Sequence, residues 1–323
     1  MNYQPPFSIT PKIIDLIAQI SGRVGRLTAY SDHGQALYLR RVNRIRSIQG
    51  SLAIEGNTLS EQQITAILDG KRVIAPPREI QEVKNAIRAY DQLKQWQPCS
   101  EIDLLQAHLI LMAGLIDDYG VYRQGSVGVM KGSEVVHIAP PAQRVPSLMA
   151  GLLQWVQTSD HHPLIISSVF HYEFEFIHPF ADGNGRMGRL WQSLILQQWN
   201  PLFADMPIES LVYQSQQDYY HALQQSTEHS DSAHFIQFML ERILDAVSQA
   251  TPQDSRQVTP QVKRLLDVMI GEMSRDELQH ALGLRDRKSF RERYLKPALA
   301  QGMIEMTHPD KPNSKLQKYR KKG

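Results

Sequence analysis

The chain has 323 residues, of which 42% are hydrophobic and 21% are charged, a composition typical of a soluble globular protein with one or two cores. No apolar run approaches the roughly 18 residues that a membrane span requires, and the first residues lack the basic and apolar segments of a secretion signal. Cys99 is the single cysteine, which excludes an intrachain disulfide and a cysteine-based zinc site. These features predict a cytoplasmic protein without membrane contact.

Helical patterns dominate the first 250 residues. Ser60 and Gln63 form a capping box before one apolar repeat, and Ser100 with Asp103 begins another. Apolar residues at helical spacing predict further helices over 9–28, 35–49, 78–95, 144–158, 163–176, 186–199, 209–227 and 232–249. The sequence therefore predicts a mainly α fold.

Two later segments depart from this pattern. Residues 126–139 alternate apolar side chains around Lys131-Gly132-Ser133, which predicts a small β-hairpin. Residues 250–259 are polar and interrupted by proline, which is typical of a linker. Beyond the linker, three short helix signals precede two strand-like pieces. That order predicts a C-terminal winged helix-turn-helix domain.

The net charge of +2 is unevenly distributed along the chain. From Arg285 onward, twelve Lys and Arg stand against four Asp and Glu, a local charge of +8, so the preceding residues carry −6. A basic tail on an acidic body predicts two separate roles. The tail is suited to contact DNA phosphates or an acidic protein surface.

The stretch HPFADGNGRMGR, residues 178–189, concentrates polar and glycine residues between two predicted helices. Its Gly183, Gly185 and Gly188 match the dinucleotide-binding spacing G-x-G-x-x-G. That fingerprint requires a preceding buried strand within a βαβ unit. Here the preceding residues have helical periodicity, and no series of parallel strands is predicted. A Rossmann site is therefore disfavoured.

The same stretch is better suited to bind phosphates between helices. Gly183 and Gly185 allow the backbone to turn its N–H groups inward, and the N-terminus of the next helix adds unsatisfied N–H groups and a positive dipole end. Arg186 and Arg189 are three residues apart, so they lie on one helix face and can reach the same polyphosphate.

Two further residues add chemistry to this stretch. Asp182 is a hard oxygen ligand suited to Mg²⁺, and His178 is suited to act as a general base. Taken singly, the histidine before proline, the DGNG run and the two arginines each have ordinary explanations as turn residues or a solvated face. Their combination favours a functional site.

The stretch resembles the signature loop of the Fic family, HxFx(D/E)GNGRxxR, without a departure. Such proteins transfer AMP from ATP to a hydroxyl of a target protein. The resemblance implies that His178 deprotonates the acceptor, that Asp182 holds Mg²⁺, and that Asn184 and the loop amides contact phosphates. The implied ATP-binding residues are Asp182, Gly183, Asn184, Gly185, Arg186, Met187, Gly188 and Arg189.

A second motif lies upstream, where Ser51, Glu55 and Gly56 resemble the family's inhibitory motif (S/T)xxxE(G/N). The resemblance implies that Glu55 pairs with Arg189 and so removes a partner of the ATP γ-phosphate. The alternative is an ordinary helix C-terminus with Gly56 as its cap.

Two weaker assignments follow from the same resemblance. The hairpin corresponds to the family's flap, which aligns the target segment by strand addition. Residues 134–137, including Val136 and His137, would then lie over the nucleotide. Tyr219 resembles a residue that helps to enclose the adenosine, although a tyrosine packed in the core fits the sequence equally well.

The resemblance defines three regions: an N-terminal helical region with the inhibitory motif over 1–100, a Fic core over 101–250, and a linker with winged helix over 251–323. It implies a protein adenylyltransferase that uses ATP and Mg²⁺, modifies a target protein or itself, and is autoinhibited by Glu55. Removal of AMP at the same site and a nucleotide-sensing DNA-binding regulator remain alternatives. The sequence also leaves a homodimer open.

Overall fold

The computed structural model describes residues 3–30, 36–126, 128–131, 134–250, 260–284, 286–300, 303–308, 314 and 317–321. The chain divides into two compact units, Met1–Thr251 and Pro252–Gly323. Residues 1–100 and 101–250, predicted as separate regions, thus belong to one unit. Of the predicted linker, residues 251–259 lie outside the described residues.

The first unit is built from helices and confirms the predicted mainly α fold. Its α-helices are α1 Pro11–Tyr30, α2 Ala36–Ile54, α3 Glu61–Leu68, α4 Pro77–Gln92, α5 Glu101–Met112, α6 Val145–Thr158, α7 Pro163–Ile177, α8 Asn184–Trp199, α9 Ile208–Gln214, α10 Gln216–His229 and α11 Ala233–Ala250. Strands β1 Gly128–Lys131 and β2 Glu134–Ile138 pair antiparallel and form the predicted hairpin.

Helix α7 occupies the centre of this unit, and nearly all of its side chains are buried. Because a helix that is buried on all sides must satisfy its polar groups internally, its serines and histidine need partners within the core. Ser167 and Ser168 donate to the Leu164 carbonyl, and His171 Nδ1 lies 2.7 Å from Gln192 Oε1 of α8. This central position fixes the C-terminal end of α7, where the glycine-rich stretch 178–189 begins.

The structure differs from the prediction at 209–227, which forms two helices instead of one. The interruption lies at Ser215, whose φ of −116° and ψ of 35° leave the helical region. Its hydroxyl accepts a hydrogen bond of 2.9 Å from Arg242 of α11. This side-chain contact holds the break that turns α9 towards α2, a tertiary interaction that helical periodicity does not reveal.

Gly50 allows α2 and α9 to approach closely. A Cβ at this position would lie 2.6 Å from the backbone N and Cα of Ser210. Gly50→Ala is therefore expected to destabilise the first unit by about 1–3 kcal/mol, as overpacking of a close contact does. Thermal unfolding provides the measurement.

Gly22 is the matched control for this substitution, because a Cβ there would meet nothing within 4 Å. Since alanine restricts the unfolded chain and favours helix, Gly22→Ala is expected to leave the unfolding temperature unchanged or slightly raised. Equal unfolding temperatures for the two variants would contradict the close α2–α9 contact.

The second unit has its own core and a small sheet. Its elements are α12 Pro260–Val268, β3 Met273–Ser274, α13 Arg275–Ala281, α14 Arg287–Phe290, a π-helical turn Arg291–Leu295, α15 Lys296–Ala300, β4 Ile304–Met306 and β5 Lys318–Lys321. The antiparallel sheet has the order β3-β5-β4. Leu278, Phe290 and Tyr319 are among the side chains that fill the core.

No helix in the described part of the chain is both long enough and apolar enough to span a membrane.

Candidate functional site

The stretch 178–189 connects two buried helices, α7 and α8. His178 lies just past the end of α7 with φ of 50°, the left-handed region that few non-glycine residues adopt. Gly183, with φ of 84°, immediately precedes α8. The first turn of α8 therefore directs its backbone N–H groups and positive dipole end into the loop, which is the geometry of an anion site.

A buried histidine supports this loop from below. The His108 ring stacks on Phe180 with centroids 3.6 Å apart and planes 4° from parallel. Its Nδ1 accepts from the Gly120 N–H at 2.9 Å, so Nε2 carries the proton that reaches the Asp182 carbonyl at 3.0 Å. Burial lowers the pKa of His108 to about 4 and keeps the ring neutral. Sequence reasoning missed this residue, whose only signal was a histidine within an apolar helix.

Asn184 closes the loop on itself. Its Oδ1 accepts from the Phe180 N–H and its Nδ2 donates to the Phe180 carbonyl, both at 2.9 Å. Both polar ends of the side chain are buried and already bonded, so the side chain shapes the loop, and the implied phosphate contact of Asn184 stays a prediction. Its backbone N–H in the first turn of α8 remains suited to phosphate.

Met187 and Gly188 have packing roles in the structure. Met187 is fully buried in the hydrophobic core. A Cβ at Gly188 would lie 2.9 Å from the His171 ring, so glycine is required for helices α7 and α8 to pack closely. Both residues therefore pack beneath the loop, and their implied role in ATP binding stays a prediction.

Asp182 presents a carboxylate at the edge of the loop. Its Oδ1 accepts from the Gly183 N–H at 2.6 Å and from Arg186 at 3.1 Å, while Oδ2 lies 3.5 Å from Arg78. The side chain is 41% exposed. Among the described residues no group of three or more metal-ligating side chains occurs. A single accessible carboxylate fits Mg²⁺ that takes its other ligands from phosphates and water.

Arg189 is buried and held by residues of the upstream motif. It donates to Glu55 Oε1 at 2.6 Å, to Ser51 Oγ at 3.1 Å and to the Ser51 carbonyl at 3.0 Å. Arg189 is 2% exposed and Glu55 32% exposed. The predicted pairing is therefore present in the structure, and the guanidinium is engaged by α2 and its end.

The end of α2 aims Glu55 at this arginine. Gly56 has φ of 91°, its N–H donates to the Ala53 carbonyl, and the Asn57 N–H donates to the Leu52 carbonyl. These two bonds form a Schellman cap, so the helix-cap interpretation of Gly56 also applies. A carboxylate at a helix C-terminus is unfavourable next to the dipole, and Arg189 offsets that cost.

Gly185 leaves the space that this pairing needs. A Cβ there would collide with the Glu55 carboxylate and approach the Arg189 guanidinium at 3.0 Å. Any larger residue would displace one of the two partners.

Arg186, the other arginine of the loop, is also engaged by a carboxylate from an upstream helix. Its guanidinium is buried and lies 3.5 Å from Glu82 of α4, besides its contact with Asp182. Arg78, one turn earlier on α4, reaches both Glu82 and Asp182. Glu82 and Arg78 were not anticipated, because nothing local in α4 indicates that it faces a loop about a hundred residues later.

Glu175 lies behind His178 on the last turn of α7. Its Oε2 is 3.9 Å from His178 Nδ1, and its backbone carbonyl is 3.4 Å from the same nitrogen. Burial raises the pKa of Glu175 to about 7, although the nearby Arg189 guanidinium acts to lower it. A carboxyl group that titrates near neutrality thus lies beside the candidate base.

The raised pKa of Glu175 predicts a pH-dependent stability. Since the pKa is about 7 in the folded chain and 4.5 for a glutamate in water, protonation favours the folded state, and this contribution is lost as pH rises through 7. Glu175→Gln should therefore lose less unfolding free energy than the parent chain between about pH 5 and pH 8, by about 2–3 kcal/mol.

Denaturant unfolding at the two pH values measures this difference. Glu228→Gln, which changes an exposed glutamate of α10, is the control and should follow the parent chain. Identical pH profiles for Glu175→Gln and the parent would contradict the assignment.

Two adjacent tyrosines of α10 have different environments. Tyr219 is 1% exposed, and its hydroxyl lies 3.1 Å from His171 Nε2 among the rings of Phe235 and Phe238. Tyr219 is thus packed in the core, and its implied part in enclosing the adenosine stays a prediction. Tyr220 is 41% exposed and lies near Glu55, whose charge adds to burial in raising its pKa. Tyr220 is the tyrosine of this pair that is available at the surface.

For the hairpin that corresponds to the family's flap, the structure describes the backbone of strands β1 and β2. Val136 and His137 belong to β2, and His137 pairs with Val129 of β1. The side chains of Val136 and His137 lie outside the described part of the structure.

The loop, the N-terminus of α8 and the two buried arginines form a candidate phosphate-binding site in a mainly helical protein. Residues 98–196 match the Fic/DOC family, and residues 260–321 match the C-terminal domain of the Fic-like proteins named for filamentation induced by cAMP. A crystal structure of a Fic family protein from Desulfovibrio desulfuricans G20 is similar over 99% of both chains, with 52% sequence identity and a TM-score of 0.76. The chain belongs to the Fic family.

Curated relatives carry a function in their names. "Protein adenylyltransferase Fic" from Nematostella vectensis is 29% identical over 63% of this chain and 48% of its own length. The Drosophila erecta protein of the same name is 30% identical over 70% of this chain and 47% of its own length. The chain spans about half the length of the curated relatives it matches.

Proposed function

We propose that this protein transfers AMP from ATP to the hydroxyl of a Ser, Thr or Tyr side chain, on a target protein or on itself. The observation that carries the proposal is the grouping of His178, Asp182 and two buried arginines around the N-terminus of α8. The adenylyltransferase name of the curated relatives supports the same reaction. ATP is the nucleotide proposed by analogy, since the loop itself reads phosphates.

The reaction needs positioning and charge neutralisation more than covalent chemistry. The acceptor oxygen attacks the α-phosphorus, the bond to the bridging oxygen of the β-phosphate breaks, and pyrophosphate leaves with the bonding electron pair. His178 takes the acceptor proton at Nε2, because Nδ1 is directed at the Glu175 carbonyl. The amides of α8 and the arginines hold the phosphates.

Magnesium is the metal that the site fits. Asp182 would hold it through the exposed carboxylate, and the ion supplies neutralisation of the developing pyrophosphate charge. Tyr220 is exposed near Glu55, and its ring is suited to cover the adenine ring of the nucleotide. The hairpin edge would align the acceptor segment by strand addition.

We further propose that Glu55 inhibits the enzyme. Arg189 cannot pair with the γ-phosphate while it is bonded to Glu55 and Ser51. ATP would then bind with its α-phosphorus out of line with the acceptor. Any event that moves the end of α2 away from the loop would release Arg189 from Glu55 and so activate the enzyme.

The test of the reaction compares ATP labelled in the α-phosphate with ATP labelled in the γ-phosphate, using the Glu55→Gly chain and Mg²⁺. AMP transfer attaches the α-label to protein and leaves the γ-label in pyrophosphate. Transfer of the γ-label to protein would contradict the proposal. Absence of both labels from protein, even in the presence of a cell lysate, would also contradict it.

A second candidate is hydrolytic removal of AMP at the same site. It is favoured by the Glu55 carboxylate, which is 32% exposed next to the loop and is suited to position a water molecule. In that case Glu55→Gly would abolish the release of AMP from an AMP-modified protein. If Glu55 is instead inhibitory, Glu55→Gly would raise the rate of AMP transfer.

The second unit is proposed to be a winged helix that recruits the target. Arg287, Lys288 and Arg291 are exposed on one helical segment, which also suits DNA phosphates. A salt-sensitive gel shift that is lost on replacing these three residues would favour a nucleotide-sensing DNA-binding regulator, and no shift at low salt would exclude it.

We also propose a cytoplasmic location, because the single cysteine, Cys99, is free. A homodimer is a further proposal, which light scattering tests.

A further inference from the structure

Arg123 is a buried arginine whose described side-chain hydrogen bonds all go to backbone carbonyl oxygens. It is 4% exposed and lies in the segment between α5 and the hairpin. Burying a guanidinium is costly unless its donors are satisfied. The planar, forked guanidinium donates to four backbone carbonyl oxygens. The backbone geometry therefore determines where this cation lies.

Two of these carbonyls lie at the end of α7. Arg123 Nε donates to the His178 carbonyl at 2.7 Å, and one terminal nitrogen donates to the Ile177 carbonyl at 3.3 Å. The Arg123 backbone N–H also donates to the Pro179 carbonyl at 3.0 Å. Helix C-termini leave such carbonyls without partners, and a cation there is favoured by the dipole. Arg123 therefore binds the backbone of the proposed base itself.

The other two carbonyls flank the hairpin. Arg123 donates to the Gly125 carbonyl at 2.8 Å and to the Pro140 carbonyl at 2.6 Å. Gly125 precedes β1 and Pro140 follows β2. The same guanidinium thus binds the entry and the exit of the hairpin.

We propose that Arg123 is a positioning residue that holds His178 in register with the hairpin. The proposal rests on the proposed function, in which the hairpin aligns the acceptor segment and His178 removes its proton. In-line transfer requires both groups to meet the same hydroxyl, and an error of about 1 Å is costly. One side chain bonded to both parts fixes their separation without touching the nucleotide.

Lysine is the informative replacement, because it keeps the charge and loses the fork. A single ammonium group cannot donate to carbonyls at both the helix end and the hairpin in the geometry of the guanidinium. Arg123→Lys should therefore fold and yet lose the coupling between the two parts. Arg144→Lys, at an exposed arginine beyond the hairpin, is the matched control.

The first readout is hydrogen exchange, which is independent of catalysis. Loss of one charge-assisted hydrogen bond, about 1.4 kcal/mol, should speed exchange about tenfold in peptides covering 121–140 and 174–183 together. Peptides from α11 report general destabilisation and should keep the parent rate. Faster exchange everywhere, or no change in either segment, would overturn the proposal.

The second readout is self-modification with ATP and Mg²⁺ in the Glu55→Gly background. Arg123→Lys should lower kcat about a hundredfold, the cost of a small misplacement, while KM for ATP changes by less than about threefold. An unchanged kcat, or a loss that arises only in KM for ATP, would overturn the positioning role. If the parent chain modifies nothing, the proposed function fails, and hydrogen exchange alone still decides whether Arg123 couples the two segments.

Discussion

Glu55→Gly is expected to raise AMP transfer roughly ten- to hundredfold, the effect of relieving a coupling of about 1–3 kcal/mol. The carboxylate engages Arg189 at 2.6 Å, and glycine at this position leaves the guanidinium available to the γ-phosphate. The rate of self-modification with ATP and Mg²⁺ measures the gain.

Two variants separate this mechanism from a general loosening of the region. Glu55→Gln keeps the length of the side chain and an acceptor oxygen but loses the charge, so an intermediate rate is expected. Glu61→Gln, on the exposed start of α3, should keep the parent rate. Equal rates for Glu55→Gly and the parent chain would show that Glu55 does not inhibit.

His178→Ala is expected to lower the transfer rate by about 10²–10⁴-fold, the contribution of a positioned general base. ATP affinity, measured by calorimetry, should change little, because the phosphates are held by α8 and its arginines. The experiment is performed in the Glu55→Gly background, where the parent rate is highest.

The conformation of His178 requires a second variant. Its φ of 50° is unfavourable for alanine, whereas asparagine tolerates this region. His178→Asn should therefore retain the unfolding temperature and still be inactive. Activity in the asparagine variant would mean that His178 acts through the shape of the loop and is not the base.

The sequence predicted those parts of the fold and site that depend on local order. Capping boxes and apolar periodicity located the helices, and the loop between α7 and α8 was recognisable because its residues are contiguous. The pairing of Glu55 with Arg189 was implied by family resemblance, since the two residues are more than a hundred positions apart and no local pattern connects them.

The remaining features depend on tertiary contacts that a single sequence does not encode visibly. His108, Glu82 and Arg123 reach the loop from distant segments, and each had only the signal of a polar residue near apolar neighbours. Tyr219 and Tyr220 are adjacent, so they project about 100° apart around α10, and periodicity alone did not decide which one faces the core.

Asn184 illustrates a different limit. A motif identifies a residue without distinguishing a ligand contact from a contact that shapes the loop. Only the two hydrogen bonds to Phe180 assign its side chain to the loop backbone.

The measurement that tests the central claim most directly is mass analysis of the parent chain, Glu55→Gly and Glu55→Gly/His178→Ala after incubation with ATP and Mg²⁺. An autoinhibited adenylyltransferase predicts an added AMP that is abundant on Glu55→Gly, sparse on the parent and absent from the double variant, with peptide analysis locating the modified hydroxyl. An adduct that persists without His178, or that is equally abundant with and without Glu55, would contradict the account.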